Sequence, residues 1–345
     1  MSIPEIPAAV NPEDPPEIHL ALAALRRLDA PRLALAAPPQ RLGGGFWAEL
    51  WTLHLDDHGP SLPERVVVRL APDASLAAWE TTVQRAVAEQ DYPTPAILAA
   101  GDATADTRFW SVMEHAEGRP LLAGLSGLGA LARLPRLARA LPTQLATAMS
   151  ALHALDPEPI ERALTANTGR EIGVDGILAH FHERARELDD IALERAVEHL
   201  DSARPAASDR VVCHGDLHPF NVLDNDGTTT VLDWTAAQIA EPAYDVAFTA
   251  LLLANPPLVA PGPLRPVIDS AARALSQRFV RAYRANSHGV TLHDANLRWY
   301  TQLHGVRILV DITTWRAAGT IDALRGHPWL TMEDRVRRLV GPLGA

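Results

Sequence analysis

A short apolar stretch that runs into a polar loop constrains this chain more than any other feature. The apolar run 211–213 leads directly into a loop that carries Asp216 and Asn221. Asp233 follows twelve positions after Asn221, beyond a turn signal at 225–227. This turn between two β-like runs predicts a hairpin, which would bring Asn221 and Asp233 back towards Asp216. The sequence therefore predicts that three oxygen-bearing side chains converge on one small volume.

Three such side chains are what phosphoryl transfer from a nucleotide requires. One carboxylate receives or orients the hydroxyl proton of the acceptor, while an amide oxygen and a second carboxylate hold Mg²⁺ against the phosphates. The chain has His214-Gly215-Asp216, then four residues, then Asn221, which agrees with the spacing of the protein-kinase catalytic loop. We therefore interpret Asp216 as the catalytic residue, Asn221 and Asp233 as magnesium ligands, and ATP as the phosphate donor.

Each residue of this motif also has a plainer interpretation. His214 is compatible with a core histidine at the end of a strand, and Asp216 and Asp233 with turn or cap residues. Alternatively, His214, Asp216 and His218 stand at alternate positions and could ligate zinc in a metal hydrolase. That function needs further ligands, and the sequence has no HExxH motif. The joint occurrence of the loop, the hairpin and Asp233 favours the kinase interpretation.

Further details resemble the aminoglycoside-phosphotransferase and choline-kinase-like family of small-molecule kinases. They are the glycine at position 215, the pair Asp233-Trp234 after the hairpin, and the segment 241–245. The resemblance is strongest over about residues 205–250 and weaker over most of the remaining chain. It implies an α+β, two-lobed protein-kinase-like fold, with a small antiparallel-sheet lobe and a larger, mainly helical lobe.

The resemblance also implies a domain organisation and a place for the adenine. Glu114 and Ala116 would lie along the base, and their backbone groups would contact its edge. The expected segments are a proline-rich tail with a short helix over 1–29, a nucleotide-binding lobe over 30–113, a hinge over 114–118, and a helical lobe with the catalytic loop and substrate site over 119–345.

Phosphate-binding residues are expected in the first lobe. Gly43-Gly44-Gly45 lies between β-like segments, where glycine lets the backbone approach phosphates closely, although such triplets are often plain flexible turns. By resemblance, Arg69 occupies the strand position of the phosphate-clamping cation, and Glu80 that of its acidic partner. The family uses a lysine there, but this chain contains no lysine. Arg69 could instead be a solvated charge at a strand end.

Composition narrows the classes of function. The net charge of -11 argues against general nucleic-acid binding, and 47% apolar residues are typical of a soluble globular protein. The single cysteine permits no disulfide within the chain. The start of the sequence does not resemble a signal peptide, and the apolar run 246–254 is shorter than the ~20 residues that span a bilayer. We therefore expect a cytoplasmic protein that binds neither nucleic acid nor membrane.

The acceptor is expected to be a small molecule, because the segment 236–243 after the hairpin is too short to hold a protein substrate. An aminoglycoside-like compound, a sugar, a macrolide and an amino alcohol all fit. Glu241, Asp245 and Asp311 are acids that could face a cationic acceptor. The alternative function is a nucleotide-binding pseudokinase or scaffold protein with little transfer activity, which the arginine at position 69 suggests.

Overall fold

The computed structural model describes residues 14–28, 30–43, 48–122, 128–207, 209–256 and 265–341, with the backbone alone for 128–137. The chain divides into two compact units. The first unit consists of Met1–Arg119, Arg162–Arg170 and Leu223–Thr235. The second unit consists of Pro120–Glu161, Glu171–Val222 and Ala236–Ala345.

The elements alternate strands and helices at first and become predominantly helical later. In chain order, the first are α1 Pro16–Arg27, β1 Ala34–Leu35, β2 Gln40–Leu42, β3 Glu49–Asp56, β4 Arg65–Ala71, α2 Ala74–Ala88, β5 Ile97–Gly101, β6 Phe109–Glu114 and β7 Arg119–Pro120. They are followed by α3 Leu128–His153, α4 Pro157–Asn167, α5 Val174–Glu187, α6 Ile191–Ser202, β8 Val211–Cys213, β9 Val222–Asn225, β10 Thr228–Val231, β11 Gln238–Ala240, α7 Ala243–Ala254, α8 Arg265–Asn286, α9 Asp294–Ala317 and α10 Pro328–Val340.

The main sheet of the first unit is antiparallel. Its strands follow the order β1-β3-β4-β6-β5, and β2 pairs with β3. In the central strand β4, the run Val66-Val67-Val68 is β-branched and almost wholly buried, as expected for a strand covered on both faces. This arrangement confirms the predicted antiparallel sheet in the first part of the chain.

Alternate residues of β4 face two different helices. Val66 and Val68 belong to one apolar cluster with Ile18 and Leu25 of α1, and burial of each such side chain stabilises the fold by about 2 kcal/mol. Ala71 packs with Ala77 of α2 instead. Because successive strand residues point to opposite faces, Arg69 lies on the α2 side. The α2 helix begins with a cap, in which the Asp73 carboxylate accepts a hydrogen bond from the Leu76 N–H.

The predicted hairpin is present and is formed by β9 and β10. The loop between these strands is Asp226-Gly227, and both residues have positive φ, 49° and 94°. Two left-handed residues are typical of a type I′ turn, whose twist matches that of the flanking strands. The hairpin is fixed to the first unit, because the Thr94 hydroxyl donates to the Val231 carbonyl and the Val231 N–H donates to the Pro93 carbonyl.

The second unit is organised around α9. This helix contacts α5, α6, α7 and α10. Its buried residues include Trp299, Leu303, Ile308 and Val310, so apolar side chains occur all round the helix, as expected for one surrounded by others. Two helices, α5 and α6, occupy most of 174–202 and are separated at Asp189, which adopts φ 50°, and at Asp190, whose side chain caps α6.

A short antiparallel ladder in the second unit holds the approach to the polar loop. Strand β8 pairs with β11, with Cys213 opposite Gln238 and Val211 opposite Ala240. All three residues of β8 are buried, so the chain enters the loop from the interior of the unit. Among the described residues, no helix is long and apolar enough to cross a membrane.

Candidate active site

The turn that begins the polar loop depends on Gly215. This residue has φ +74°, and a Cβ atom built on it would lie 2.0 Å from the carbonyl oxygen of Ala236. Only glycine fits both the conformation and the space. The backbone N–H groups of His214 and Gly215 donate to the two carboxylate oxygens of Asp245, at 2.8 and 2.5 Å. The loop is therefore fixed from the first turn of α7.

Asp245 is the centre of a buried polar network. His153 Nε2 lies 3.1 Å from its carboxylate, and His153 Nδ1 lies 2.7 Å from the hydroxyl of Tyr283. Burial alone would raise the pKa of Asp245, but the hydrogen bond of His153, the charges of His153 and His214, and the Gly215 N–H hold that pKa below its usual value. A carboxylate that stays ionised while buried is a strong hydrogen-bond acceptor.

Two further contacts hold the loop from the helices of the second unit. Arg307 of α9 donates to the Gly215 carbonyl at 2.7 Å, and the Thr249 hydroxyl donates to the Leu217 carbonyl at 2.6 Å. The Arg307 guanidinium lies over the rings of Phe248 and Trp329, 4.9 and 5.4 Å from their centroids. The sequence analysis missed Arg307; the available signal was a cationic residue beside the apolar stripe of a core helix.

Asp216 and Asn221 are brought together as predicted. The Asn221 amide nitrogen donates to the backbone carbonyl of Asp216 at 3.0 Å and to its carboxylate at 3.3 Å. Since the amide hydrogens face Asp216, the amide oxygen is the atom that Asn221 could offer to a cation. The Asp216 side chain is 22% exposed, so a small molecule can reach it. His218, which the sequence analysis assigned only to an alternative zinc site, places Nε2 3.7 Å from the same carboxylate.

Asp233 follows the hairpin and belongs to the first unit. It is exposed, has φ 65°, and accepts a hydrogen bond from the Thr235 hydroxyl at 2.7 Å. The neighbouring Trp234 is fully buried; its indole N–H donates to Thr94 at 2.9 Å, and its ring packs edge-on against Tyr92. The buried tryptophan therefore fixes the backbone next to Asp233, at the end of the hairpin.

Arg69 and Glu80 form a buried ion pair between β4 and α2. Their side chains are only 13% and 5% exposed, so Arg69 is not a solvated strand-end charge. Burial lowers the pKa of Arg69 and the charge of Asp233 raises it, with a net downward direction. Arginine starts so high that it remains protonated. A fixed cation in the first unit is thus under the influence of the Asp233 carboxylate.

The remaining predicted nucleotide residues are less informative. Gly43 is exposed, and no atom of the described residues lies within 4 Å of a Cβ built on it. Gly44 and Gly45 lie outside the described residues. Glu114 ends β6, where its N–H donates to the Ala96 carbonyl at 3.0 Å, and Ala116 follows it, half-buried.

The donor atoms fit magnesium better than zinc. Asn221 and Asp233 offer amide and carboxylate oxygens, which hard cations prefer. His153, Cys213 and Asp245 do bring one potential ligand atom each within 4.8 Å of one another. However, His153 and Asp245 are hydrogen-bonded in the network beneath the loop, and burial raises the pKa of the Cys213 thiol well above its usual value. The contacts of His153 and Asp245 therefore explain this cluster as part of the network that supports the loop.

The acids considered for a cationic acceptor differ in their surroundings. Glu241 is buried and accepts a hydrogen bond from the Tyr300 hydroxyl, and Asp245 is engaged by the loop backbone. Neither carboxylate is therefore available to an acceptor. Asp311 is half-buried, and burial raises its pKa to about 6 in spite of the nearby charges of Arg307 and Arg184.

A family model and a curated relative match the part of the chain that contains these residues. The model of a family described as "Phosphotransferase enzyme family" matches residues 39–285. A curated relative, aminoglycoside 3'-phosphotransferase of Streptomyces fradiae, is 30% identical over 204 residues, which are 55% of this chain and 67% of that protein. The matched family region contains the loop, the hairpin and the Arg69–Glu80 pair.

Solved structures of similar architecture cover nearly the whole chain. A thermostable mutant of aminoglycoside phosphotransferase APH(4)-Ia, in a ternary complex with AMP-PNP and hygromycin B, gives a TM-score of 0.59 at 18% identity over 94% of this chain and 98% of that one. Macrolide 2'-phosphotransferase MphH of Brachybacterium faecium gives 0.52 at 17% identity over 94% and 98%. At these identities the likeness shows the fold, and the predicted two-lobed α+β, protein-kinase-like class is confirmed.

Proposed function

The chain belongs to the phosphotransferase enzyme family, and we propose that it moves the γ-phosphate of ATP to a hydroxyl group of a small molecule. The observation that carries this proposal is the joint fixing of Asp216 and Asn221 in one loop, which Asp245 holds from beneath. The loop presents a carboxylate and an amide oxygen at the spacing that phosphoryl transfer uses. A structural loop would not need both groups so placed.

Asp216 is proposed as the catalytic residue. Its half-exposed carboxylate would accept the proton of the acceptor hydroxyl, or orient that hydroxyl, while the oxygen attacks phosphorus. The Asn221 amide holds the carboxylate in one rotamer, and Arg307 holds the adjacent backbone through the Gly215 carbonyl. Such positioning contributes much of the rate in phosphoryl transfer, where the protein does little covalent chemistry.

Asn221 and Asp233 are proposed as the magnesium ligands. When bound, Mg·ATP supplies the phosphoryl group and a cation that neutralises its charge. Arg69, oriented by Glu80, would bind phosphate oxygens with its planar guanidinium, in place of the family lysine. Gly43, Gly44 and Gly45 would leave the backbone open to phosphates, and the backbone at Glu114 and Ala116 would contact the adenine.

The acceptor is proposed to be a small polyhydroxylated or amino alcohol compound, for which aminoglycosides, sugars and macrolides are candidates. This proposal is supported by the shortness of the segment 236–243, in which Gln238–Ala240 pairs with β8 and so offers no platform for a polypeptide. Since Glu241 and Asp245 are used inside the fold, a highly cationic acceptor would have to rely on other acids. A cytoplasmic location, where ATP is plentiful, is part of the same proposal.

A transfer assay tests the proposed reaction. Purified protein is incubated with γ-labelled ATP, Mg²⁺ and a panel of aminoglycosides, macrolides, sugars and amino alcohols, and the label on each acceptor is counted. We expect transfer to at least one acceptor class, and loss of at least ~10³-fold in Asp216→Asn, since the base is removed while the shape is kept. Equal transfer by wild type and Asp216→Asn would refute the assignment.

The pseudokinase alternative is separated from the enzyme by comparing nucleotide binding with phosphate transfer. In a thermal-shift titration with ATP, with and without Mg²⁺, both an enzyme and a pseudokinase would be stabilised by the nucleotide. Only the enzyme would also transfer label in the panel. Stabilisation by Mg·ATP without any transfer would favour the alternative, and tightly bound zinc with no response to nucleotide would favour the metal hydrolase.

A further inference from the structure

A concave depression in the second unit is lined by an unusual number of cations. Its volume is about 860 Å³, and residues of α7, α8, α9 and α10 line it. Pockets of roughly 300–1,000 Å³ are the usual size for small-molecule sites. One acid, Asp269, is among the lining residues, and the arginines are Arg273, Arg281, Arg284, Arg335 and Arg338.

Helical spacing explains why so many arginines face one depression. Arg273, Arg281 and Arg284 are separated by eight and three positions on α8, so they lie on one face of that helix. Arg335 and Arg338 are separated by three positions on α10, which again places them on one face. Two helices therefore direct their cationic stripes towards the same volume.

Only part of this positive charge is compensated. Arg335 bonds the Asp269 carboxylate at 2.7 Å and the Asn255 amide oxygen at 3.1 Å, and Arg284 pairs with Asp294. Within the described part of the chain, no ion pair is formed by the other three arginines, Arg273, Arg281 and Arg338.

These cations are concentrated on a protein whose net charge is -11. Like charges that share a concave surface repel one another, and a bound anion relieves that repulsion. Guanidinium groups match phosphate and carboxylate oxygens with paired hydrogen bonds. The apolar floor, formed by Leu251, Val280, Leu297 and Leu339, lowers the local dielectric and strengthens such contacts.

We propose that this depression is a binding site for a small multivalent anion that carries phosphate or carboxylate groups. The site is separate from the proposed catalytic loop. The loop is held by Asp245 in the first turn of α7, whereas the depression is lined by Ala250, Leu251 and Ala254 of the same helix, about 8–14 Å further along at 1.5 Å per residue. Binding here does not depend on the proposed phosphotransferase reaction.

Calorimetric titration of the full chain with pyrophosphate and, separately, with citrate tests the site in the absence of magnesium. We expect at least one of the two anions to bind, and more weakly at 300 mM than at ~50 mM salt because exposed charges are screened. The double variant Arg281→Gln/Arg338→Gln should lower the affinity at least tenfold. Binding of pyrophosphate but not citrate would indicate a ligand with phosphate groups, and binding of citrate would indicate a ligand with carboxylate groups.

The matched control is Arg186→Gln/Arg195→Gln, which removes two exposed arginines from α5 and α6 and changes the net charge equally. This control should bind the anion as the wild type does, and so should Arg69→Met, which removes the cation proposed to bind the nucleotide phosphates. The proposal is overturned if neither anion binds, if the pocket variant keeps the wild-type affinity, or if either control variant loses as much. Binding that survives in Arg69→Met separates this site from the fate of the phosphotransferase assignment.

Discussion

Replacement of Asp245 by asparagine should selectively loosen the loop that carries Asp216 and Asn221. The carboxylate accepts hydrogen bonds from the N–H groups of His214 and Gly215 and contacts His153, all buried. An asparagine keeps one acceptor oxygen and turns an NH₂ group towards the remaining donors. One charge-assisted hydrogen bond is lost, at ~1.5–3 kcal/mol, and the other becomes a neutral bond that is weaker by ~1 kcal/mol, so the total cost is about 2.5–4 kcal/mol. The lower bound corresponds to opening of the loop about 70-fold more often.

Amide hydrogen exchange measures this opening directly. In a peptide that spans 211–217, the Asp245→Asn variant should lose ~70-fold or more of the wild-type protection at the two donating amides. Because the pKa of Asp245 is lowered in the folded state, its stabilisation is present above the unfolded pKa near 4 and is lost as pH falls through the folded value. The difference in amide protection between the variant and the wild type should therefore have its maximum value at pH 7.

A matched control distinguishes the loss of hydrogen bonds to the loop from the general effect of removing a negative charge at the start of a helix. Asp294 also lies in the first turn of a helix, α9, but its side chain is 70% exposed. Asp294→Asn should leave exchange at His214 and Gly215 unchanged, since it alters only a surface charge. If Asp245→Asn retained wild-type protection within about twofold, the buried carboxylate would not be what holds the loop.

Three further substitutions have expected outcomes that follow from single contacts. Gly215→Ala should lower kcat at least ~100-fold with little change in ATP affinity, because a Cβ 2.0 Å from the Ala236 carbonyl displaces the catalytic loop; a kcat within threefold of wild type would contradict this. Arg69→Met should lower kcat/KM for ATP ~100-fold or more, whereas Arg69→Lys, which keeps the charge, should lose less than tenfold; equal losses would show that charge is not what this position contributes. Asp311→Asn should stabilise the protein at pH 8 by on the order of 3 kcal/mol and have no effect near pH 3. The reason is that the pKa of Asp311 is raised to about 6, so its ionisation in the folded protein costs stability as the pH rises from 4 to 6. Urea unfolding of both proteins at the two pH values measures this difference, and a destabilised variant at pH 8 would contradict it.

A local pattern in the sequence predicted the hairpin. The Asp226-Gly227 signal specified it because only a few residue types adopt the left-handed conformation at low energetic cost. Trp299, Leu303 and Val310 recur at helical spacing and are buried in α9, so the pattern of that core helix is visible in the sequence. Boundaries were less predictable; the break at Asp189 depends on one residue with positive φ that no periodicity reveals.

The proximity of Asp216 and Asn221 was predicted from the sequence, but the contacts that hold their loop were not. Asp216 and Asn221 follow a spacing that chain geometry imposes within one loop, so their proximity could be foreseen. The contacts of Asp245 with the loop backbone, about 30 positions earlier, depend on tertiary packing. The same holds for Arg307, whose bond to Gly215 crosses 92 positions and has no sequence pattern. The residue type of an acid such as Glu241 does not tell whether its carboxylate faces a ligand or a buried tyrosine.

Binding of Mn²⁺ in the presence of saturating AMP-PNP tests the central claim most directly. If Asn221 and Asp233 hold one cation, Asn221→Ala and Asp233→Asn should each weaken Mn²⁺ binding at least tenfold, as seen by electron paramagnetic resonance. Asp226→Asn, an equal charge change in the exposed turn of the same hairpin, should bind as the wild type does. Wild-type Mn²⁺ affinity in either ligand variant would contradict the assignment of a phosphotransferase metal site to these residues.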